Sequence, residues 1–182
     1  MKVIIIRHGP VAYGWERTYS SSEFDKACTQ YDKAPIMRMS YDIPGFNSQQ
    51  VYVSTLPRSR DTALEIFGNK DFICTELANE VPLGSSFNCR MGLPLWFWNI
   101  TGRVQWFLNF NRQVESRKET KARASKFIEL LNNDGCDSVV VTHGFYMHTL
   151  VKEMQKAGFI ISKSKRNYKN GDYVVAENRG GL

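Results

Sequence analysis

The chain has 182 residues, 42% of them hydrophobic, and a formal net charge of +6 at pH 7. A chain of this length can bury one core, so we predict a single domain over residues 1–182. The apolar run after Lys2 is interrupted at Arg7, too early for a secretory signal, and a cytoplasmic location is the default expectation.

The positive charge suits an anionic substrate, although it is equally consistent with weak attraction to nucleic acid or to a membrane surface. The basic residues are densest in one stretch near the C-terminus: Lys163, Lys165, Arg166 and Lys169. No nucleic-acid-binding motif accompanies them, so we interpret the stretch as solvated and expect no nucleic-acid partner. The four cysteines show neither a Cys-x-x-Cys pair nor metal-ligand spacing, so we expect ordinary thiols and no metal or other cofactor.

The first predicted element is a buried strand at residues 3–6. One valine and three isoleucines form a run that is too short for a helix and fits a parallel strand covered on both faces. The run leads directly into Arg7, His8 and Gly9. Because ligands bind beyond the carboxyl ends of strands in open α/β sheets, Arg7 and His8 are candidates for ligand chemistry. For this tripeptide alone, a solvated basic turn is an equally good interpretation.

Residues 10–50 form a connection long enough to have structure of its own, and we treat them as a first insertion. The Ser-Ser-Ser-Glu sequence at residues 20–23 offers a helix cap, and apolar residues then recur at helical spacing until Pro35. This insertion is therefore predicted to contain a helix.

A second strand is predicted at residues 51–53. In the segment that follows, Pro57 suits the first turn of a helix, and Arg58 falls near the N-terminus of that helix. Arg60 would point away from Arg58 on a helix and is interpreted as solvated. A short third strand is predicted at residues 72–74.

A second insertion, at about residues 81–115, contains an aromatic-rich stretch at residues 93–110. Polar residues and Pro94 interrupt it too often for a membrane span of about 20 apolar residues. Three uses remain open: core packing of a helical cap, which we favour, an apolar wall for the substrate, or an exposed patch for a partner or lipid surface. The second use makes Trp96 and Trp98 candidate substrate-binding residues.

The rest of the chain returns to an alternating helix and strand pattern. Ser116 and Glu119 have capping-box spacing at the start of a long helix. Another β-branched strand, at residues 137–142, ends in His143 and Gly144, and a helix and a last strand at residues 173–176 follow.

Four cationic or ionisable side chains are predicted to meet if the strands at residues 3–6, 51–53 and 137–142 are neighbours. They are Arg7, His8, Arg58 and His143. Like charges repel unless an anion lies among them, and phosphate is the obvious candidate because it suits arginine pairs and helix N-termini.

These motifs resemble those of the histidine phosphatase superfamily, also called phosphoglycerate mutase-like proteins. Residues 7–9 match its Arg-His-Gly element, and residues 143–144 match its late His-Gly element. Residues 54–63 resemble its Ser-x-Leu-x-Arg-Ala-x-x-Thr-Ala element, with Ser59 in place of alanine. The resemblance implies a three-layer α/β/α fold with a mostly parallel central sheet, here with an aromatic-rich helical cap.

The resemblance also implies a metal-independent phosphatase. In that family the first histidine attacks phosphorus, and water then hydrolyses the phosphohistidine, a role that falls here on His8. Arg7, Arg58 and His143 would bind the phosphoryl oxygens. Imidazole is a competent nucleophile at neutral pH, and the planar fork of arginine suits phosphate, so the chemistry of these residues agrees with the resemblance.

The proton for the leaving oxygen comes, in the family, from a glutamate that follows the third strand. We prefer Glu80 for this role, and Glu76 remains the alternative. Many family members continue their first motif with a polar stretch that contains threonine and asparagine, whereas residues 10–15 here are Pro-Val-Ala-Tyr-Gly-Trp. This departure weighs against a phosphoglycerate mutase proper, and we take Gly9 and Trp15 as candidate substrate-binding residues.

The expected partner is a small phosphorylated substrate that could carry an apolar portion, and the chain could also form a homo-oligomer. A phosphotransferase of the mutase type is the alternative among enzymes, since it would transfer the phosphoryl group to a second substrate. A non-catalytic protein that binds a phosphorylated ligand or an interaction partner is the alternative outside enzymes.

Overall fold

The computed structural model describes residues 1–44, 48–162 and 167–178, so that Lys163, Lys165 and Arg166 of the basic stretch lie outside the described residues. The helices are α1 (Ser21–Lys33), α2 (Pro57–Phe67), α3 (Leu95–Phe107), α4 (Arg117–Asp134) and α5 (Gly144–Lys156). The strands are β1 (Lys2–Arg7), β2 (Thr18–Tyr19), β3 (Gln50–Ser54), β4 (Ile73–Thr75), β5 (Leu93–Pro94), β6 (Ser138–Thr142), β7 (Ile160–Ser162) and β8 (Tyr173–Glu177).

The central sheet has the strand order β4-β3-β6-β1-β8-β7. Strands β4, β3, β6 and β1 run parallel to one another, and β8 runs antiparallel to both β1 and β7. The predicted mostly parallel α/β sheet is therefore confirmed. Strand β6 lies between β3 and β1, with Ile5 opposite Val140 and Val51 opposite Val139. The three strands that end in candidate site residues are thus neighbours.

Helices cover both faces of this sheet because its central strands are apolar on both sides. Val3 and Ile5 of β1 face a core built with α4 and α5, whereas Ile4 and Ile6 face a core that includes Ala63 of α2. This alternation follows from the two-residue period of a strand. The result is the expected arrangement of three layers, with all four of these β1 side chains fully buried.

The two long insertions meet in a separate small cluster. Strand β2 pairs with β5, and Phe24 of α1 stacks on Trp98 of α3 with ring centroids 5.7 Å apart. Trp98 is fully buried, and its indole N–H donates to the backbone oxygen of Tyr19 at 2.9 Å. Trp98 therefore packs in a core, the use that we favoured for the aromatic stretch.

Two helices begin at the capping boxes that the sequence predicts. The Glu23 carboxylate accepts from the backbone N–H of Ser20 at 2.8 Å, and Glu119 accepts from that of Ser116 at the same distance. Each box satisfies backbone donors that the first turn of a helix leaves without partners. Within the described ranges, every helix is too short or too polar to cross a membrane.

Candidate active site

The carboxyl ends of three neighbouring strands bring the candidate residues together. Arg7 ends β1, and the backbone N–H of His8 donates to Thr142 at the end of β6 at 2.9 Å. This bond places His8 beside His143, and the two imidazole centroids are 5.0 Å apart. Arg58, in the first turn of α2, reaches both rings. The structure thus brings together the four residues expected to converge.

His8 is held as a neutral imidazole with one nitrogen free of a proton. Its Nδ1 lies 2.7 Å from the backbone oxygen of Gly9, which can only accept, so Nδ1 carries the hydrogen. Its Nε2 accepts from Arg58 Nε at 3.3 Å. Burial, together with the nearby Arg58 charge, lowers the pKa of His8 to about 3. The lone pair of Nε2 is consequently available at neutral pH.

Arg58 is the centre of the cluster and is 1% exposed. Its Nε also faces Nδ1 of His143 at 3.1 Å, so one N–H group is shared between two imidazoles. Its Nη1 donates to Asp32 of α1 at 2.9 Å, and its guanidinium lies 5.0 Å from the centroid of the Tyr31 ring. The arginine therefore links β1, β6 and the first insertion.

His143 belongs to a hydrogen-bonded chain that runs away from Arg58. Because its Nδ1 accepts from Arg58, its Nε2 carries the hydrogen and faces Ser54 Oγ at 2.7 Å. The Ser54 hydroxyl donates to Asn79 Oδ1 at 2.7 Å. Ser59, which replaces alanine in the motif, lies 3.2 Å from the same Nε2. Complete burial lowers the pKa of His143 well below its usual value.

Two glycines allow the backbone to approach the cluster closely. A Cβ atom on Gly144 would lie 2.8 Å from Nε of Arg7, and one on Gly9 would lie 2.4 Å from the hydroxyl oxygen of Tyr41. Arg7 donates through Nη1 to the backbone oxygen of Tyr168, while its buried Nε has no hydrogen-bond partner among the described residues. Steric crowding thus explains why the Arg-His-Gly and His-Gly motifs have glycine, rather than a residue with a Cβ atom, at these two positions.

Glu80 lies at the N-terminus of α5. Its Oε1 accepts from the backbone N–H groups of Val81 at 2.8 Å and Tyr146 at 2.9 Å, and its Oε2 accepts from Phe145 at 3.3 Å. Glu76 is exposed and lies in the short 3₁₀ turn before Glu80. The structure therefore fixes the Glu80 carboxylate through backbone donors and leaves Glu76 in solvent.

A cavity of about 440 Å³ lies beside Arg58, and both Glu76 and Glu80 line it. Its apolar wall includes Trp15, Tyr31, Leu56, Val81, Leu83 and Val114. Of the three tryptophans expected to contact the substrate, Trp15 lines this cavity. Trp98 is fully buried, and Trp96 is 62% exposed and outside the cavity lining, so the structure does not bring them to the cavity.

The structure also bears on whether a thiol or a metal ion could take part in the chemistry. Burial raises the pKa of the Cys28 thiol in the cavity wall to about 12, so it is protonated and a poor nucleophile at neutral pH. In the part of the chain that the structure describes, no three histidine, cysteine, aspartate or glutamate side chains are placed to share a metal ion.

A family model described as histidine phosphatase superfamily (branch 1) matches residues 3–177. The chain belongs to this superfamily. The motifs at residues 7–9, 54–63 and 143–144 thus lie within the matched region. No curated protein matches the sequence.

Solved structures with the same fold include several phosphatases. A mycobacterial glucosyl-3-phosphoglycerate phosphatase superposes with a TM-score of 0.64 at 15% identity, over 96% of this chain and 88% of the other. An alpha-ribazole phosphatase from Shigella flexneri gives a TM-score of 0.54 at 15% identity, over 96% and 89%. A phosphoserine phosphatase variant from Entamoeba histolytica, in complex with phosphoserine, gives 0.57 at 17% identity, over 96% and 89%. At these identities the likeness shows the superfamily's fold.

Several residues of the cluster were not singled out as site residues by the sequence. Asp32 contacts Arg58, and Ser54 and Asn79 extend the chain from His143. Ser54 could have been recognised as the last residue of a strand beside the site. Asp32 lies in a helix of the first insertion, and the sequence around it does not predict its contact with Arg58, which is 26 residues further along the chain.

Proposed function

We propose that the protein is a phosphatase that hydrolyses a phosphomonoester through a phosphohistidine on His8. The observation that carries this proposal is the state of His8, whose Nδ1 proton is engaged by the Gly9 carbonyl and whose Nε2 lone pair faces Arg58. A neutral imidazole with an oriented lone pair is the nucleophile that such a reaction needs.

In the first step, Nε2 of His8 attacks phosphorus, a nitrogen–phosphorus bond forms, and the bond to the ester oxygen breaks. Arg7 and Arg58 donate to the remaining phosphoryl oxygens, where the transition state carries its charge, and His143 binds them through its Nε2–H, which faces Ser54 in the structure. The buried Nε of Arg7, which has no hydrogen-bond partner among the described residues, supports this role, and so does the position of Arg58 Nε 3.3 Å from His8 Nε2. Water then attacks phosphorus and releases inorganic phosphate and neutral His8.

In its protonated form, Glu80 supplies a proton to the leaving oxygen, and the resulting carboxylate takes one from the attacking water, which restores the acid. Its place in the cavity wall supports this assignment. Glu76 also lines the cavity and remains the alternative acid. The substrate is a small phosphorylated compound, and the apolar wall that includes Trp15 favours one with an apolar portion.

The test is hydrolysis of p-nitrophenyl phosphate by wild-type and His8→Ala protein in the presence of a chelator, followed by intact mass measurement after a quench that avoids acid. We expect turnover and a phosphoryl adduct in the wild type and neither in the variant. An active His8→Ala protein would refute the mechanism. Phosphoryl transfer to an added alcohol in preference to water would instead indicate a phosphotransferase.

A further inference from the structure

Helix α3 carries an exposed apolar face. Trp96, Ile100, Val104 and Phe107 follow one another at intervals of three or four residues, which places them on the same side of the helix. These four side chains are between 49% and 62% exposed. Residues 81–114, which contain the helix, include no aspartate or glutamate. A contiguous apolar surface of this kind is typical of a binding site.

Part of this face forms a groove of about 560 Å³. Its apolar lining consists of Ile100, Val104, Trp106, Phe107, Leu108 and Phe145. Arg103 is the charged residue of the lining, and Trp96 lies outside it. The groove is open to solvent on one side, and its lining suits a hydrocarbon group rather than a polar one.

The groove adjoins the cavity of the candidate active site, because Asn99 and Arg103 line both. The Arg103 guanidinium lies 3.7 Å from the centroid of the Phe145 ring and donates to the backbone oxygen of Val81 at 3.1 Å. It therefore forms the boundary between the two spaces. On the other side of that boundary, the backbone N–H of Phe145 contacts Glu80 at 3.3 Å.

We propose that this groove binds the hydrocarbon chain of an amphiphilic phosphomonoester, whose phosphate lies at His8 and whose chain passes Arg103 into the groove. The inference rests on the proposed function and specifies its substrate class. A leaving oxygen at Glu80 directs the rest of the substrate toward Phe145, where the groove begins. The shared lining argues for this occupant over a second copy of the protein, which would cover the exposed face without entering the cavity.

The first test compares kcat/KM for ethyl, hexyl and decyl phosphate below the concentrations at which they form micelles. We expect kcat/KM to rise with chain length, by up to about fourfold for each methylene group that becomes buried. Val104→Asn should reduce the ratio of decyl to ethyl kcat/KM roughly fivefold or more while sparing p-nitrophenyl phosphate. Trp96→Asn is the matched control, since Trp96 is also exposed on α3 but lies outside the groove, and this variant should leave the ratio unchanged.

A second test measures binding without catalysis, by calorimetry of decylphosphonate and ethylphosphonate with the His8→Ala protein. Decylphosphonate that binds more tightly than ethylphosphonate, and less tightly when Val104→Asn is added, would support the groove. If the wild type hydrolysed no ester while this binding was observed, the proposed function alone would be rejected. Hydrolysis of p-nitrophenyl phosphate with no chain preference in either assay would reject the groove alone. Equal effects of Val104→Asn and Trp96→Asn would also overturn it, since the preference would then be nonspecific.

Discussion

Arg58 contributes three distinct contacts from one buried side chain. Its Nε is shared between His8 and His143, and its Nη1 binds Asp32. A lysine has a single ammonium group on a flexible stem, so it cannot reproduce this forked geometry. The arginine therefore supplies a positive charge and also fixes the relative position of the two imidazoles.

Arg58→Lys should reduce kcat/KM for p-nitrophenyl phosphate by roughly 10²–10³-fold, the usual cost of one lost donor to a developing charge. Arg60→Lys is the matched control, because Arg60 lies two residues further along the same helix and is exposed. The Arg60→Lys variant should have the activity of the wild type. Steady-state kinetics of both variants checks this prediction. Wild-type activity in the Arg58→Lys variant would contradict the role proposed for the Arg58 guanidinium.

Glu80→Gln should lower kcat for an alkyl phosphate by on the order of 10²–10⁴-fold, because the alkoxide leaving group then departs without a proton. The loss should be smaller for p-nitrophenyl phosphate, whose leaving group is a weak base. Glu76→Gln should leave kcat for both substrates unchanged. If Glu76→Gln lowered kcat more than Glu80→Gln, Glu76 would be the general acid instead of Glu80. Rates with the two substrates, measured for both variants, decide between them.

At the scale of secondary structure, the junction between β6 and α5 positions Arg7. Gly144→Ala places a methyl group 2.8 Å from Arg7 Nε and 2.9 Å from its Cζ, so the guanidinium must move. A displacement of about 1 Å at a catalytic group can cost 10²-fold in rate, and we expect a loss of that order in kcat/KM. Gly14→Ala, whose added Cβ meets nothing within 4 Å, should retain full activity in the same assay.

The elements that the sequence predicted well are those whose pattern is local. The β-branched runs of β1 and β6 identified the centre of the sheet, and Ser20 and Ser116 marked the starts of two helices. Strands β2 and β5, with two residues each, are too short to show any periodicity.

The contacts that the sequence could not predict depend on packing between distant elements. The aromatic stretch indicates a helix, but its apolar residues occur on more than one side of that helix, so the sequence does not reveal which side faces inward and Trp98 could not be distinguished from Trp96. The Arg58–Asp32 pair joins two helices, and its geometry follows from how the insertion folds over the sheet. The converging strand ends were predictable because parallel strands share one carboxyl edge.

At the scale of the whole molecule, burial of the two histidines makes stability depend on pH. The folded protein keeps His8 neutral down to a pKa of about 3, whereas the unfolded chain takes up a proton below about pH 6.5. The unfolded state therefore gains protons first as the pH falls, and the free energy of unfolding decreases over this window. His143 acts in the same direction, since its pKa is also lowered.

His8→Gln should remove one part of this dependence. Between pH 6 and pH 4, we expect the free energy of unfolding of the wild type to fall by about 1.4 kcal/mol per pH unit more than that of the variant. Above pH 7.5 the two curves should run parallel, because neither state then changes its protonation at this position. Urea denaturation across this pH range measures both curves, and equal slopes at low pH would show that His8 is not held neutral.

The contact between Asp32 and Arg58 means that phosphate binding at Arg58, as proposed, would exchange one anion for another. Any phosphoryl oxygen that takes Nη1 of Arg58 replaces a carboxylate held at 2.9 Å by a residue of the first insertion. Asp32 is about half exposed, so water can solvate it once it is released. In the proposed mechanism, the affinity for a phosphate ester is therefore a difference between two ion pairs, and the return of Asp32 to Arg58 would assist release of inorganic phosphate.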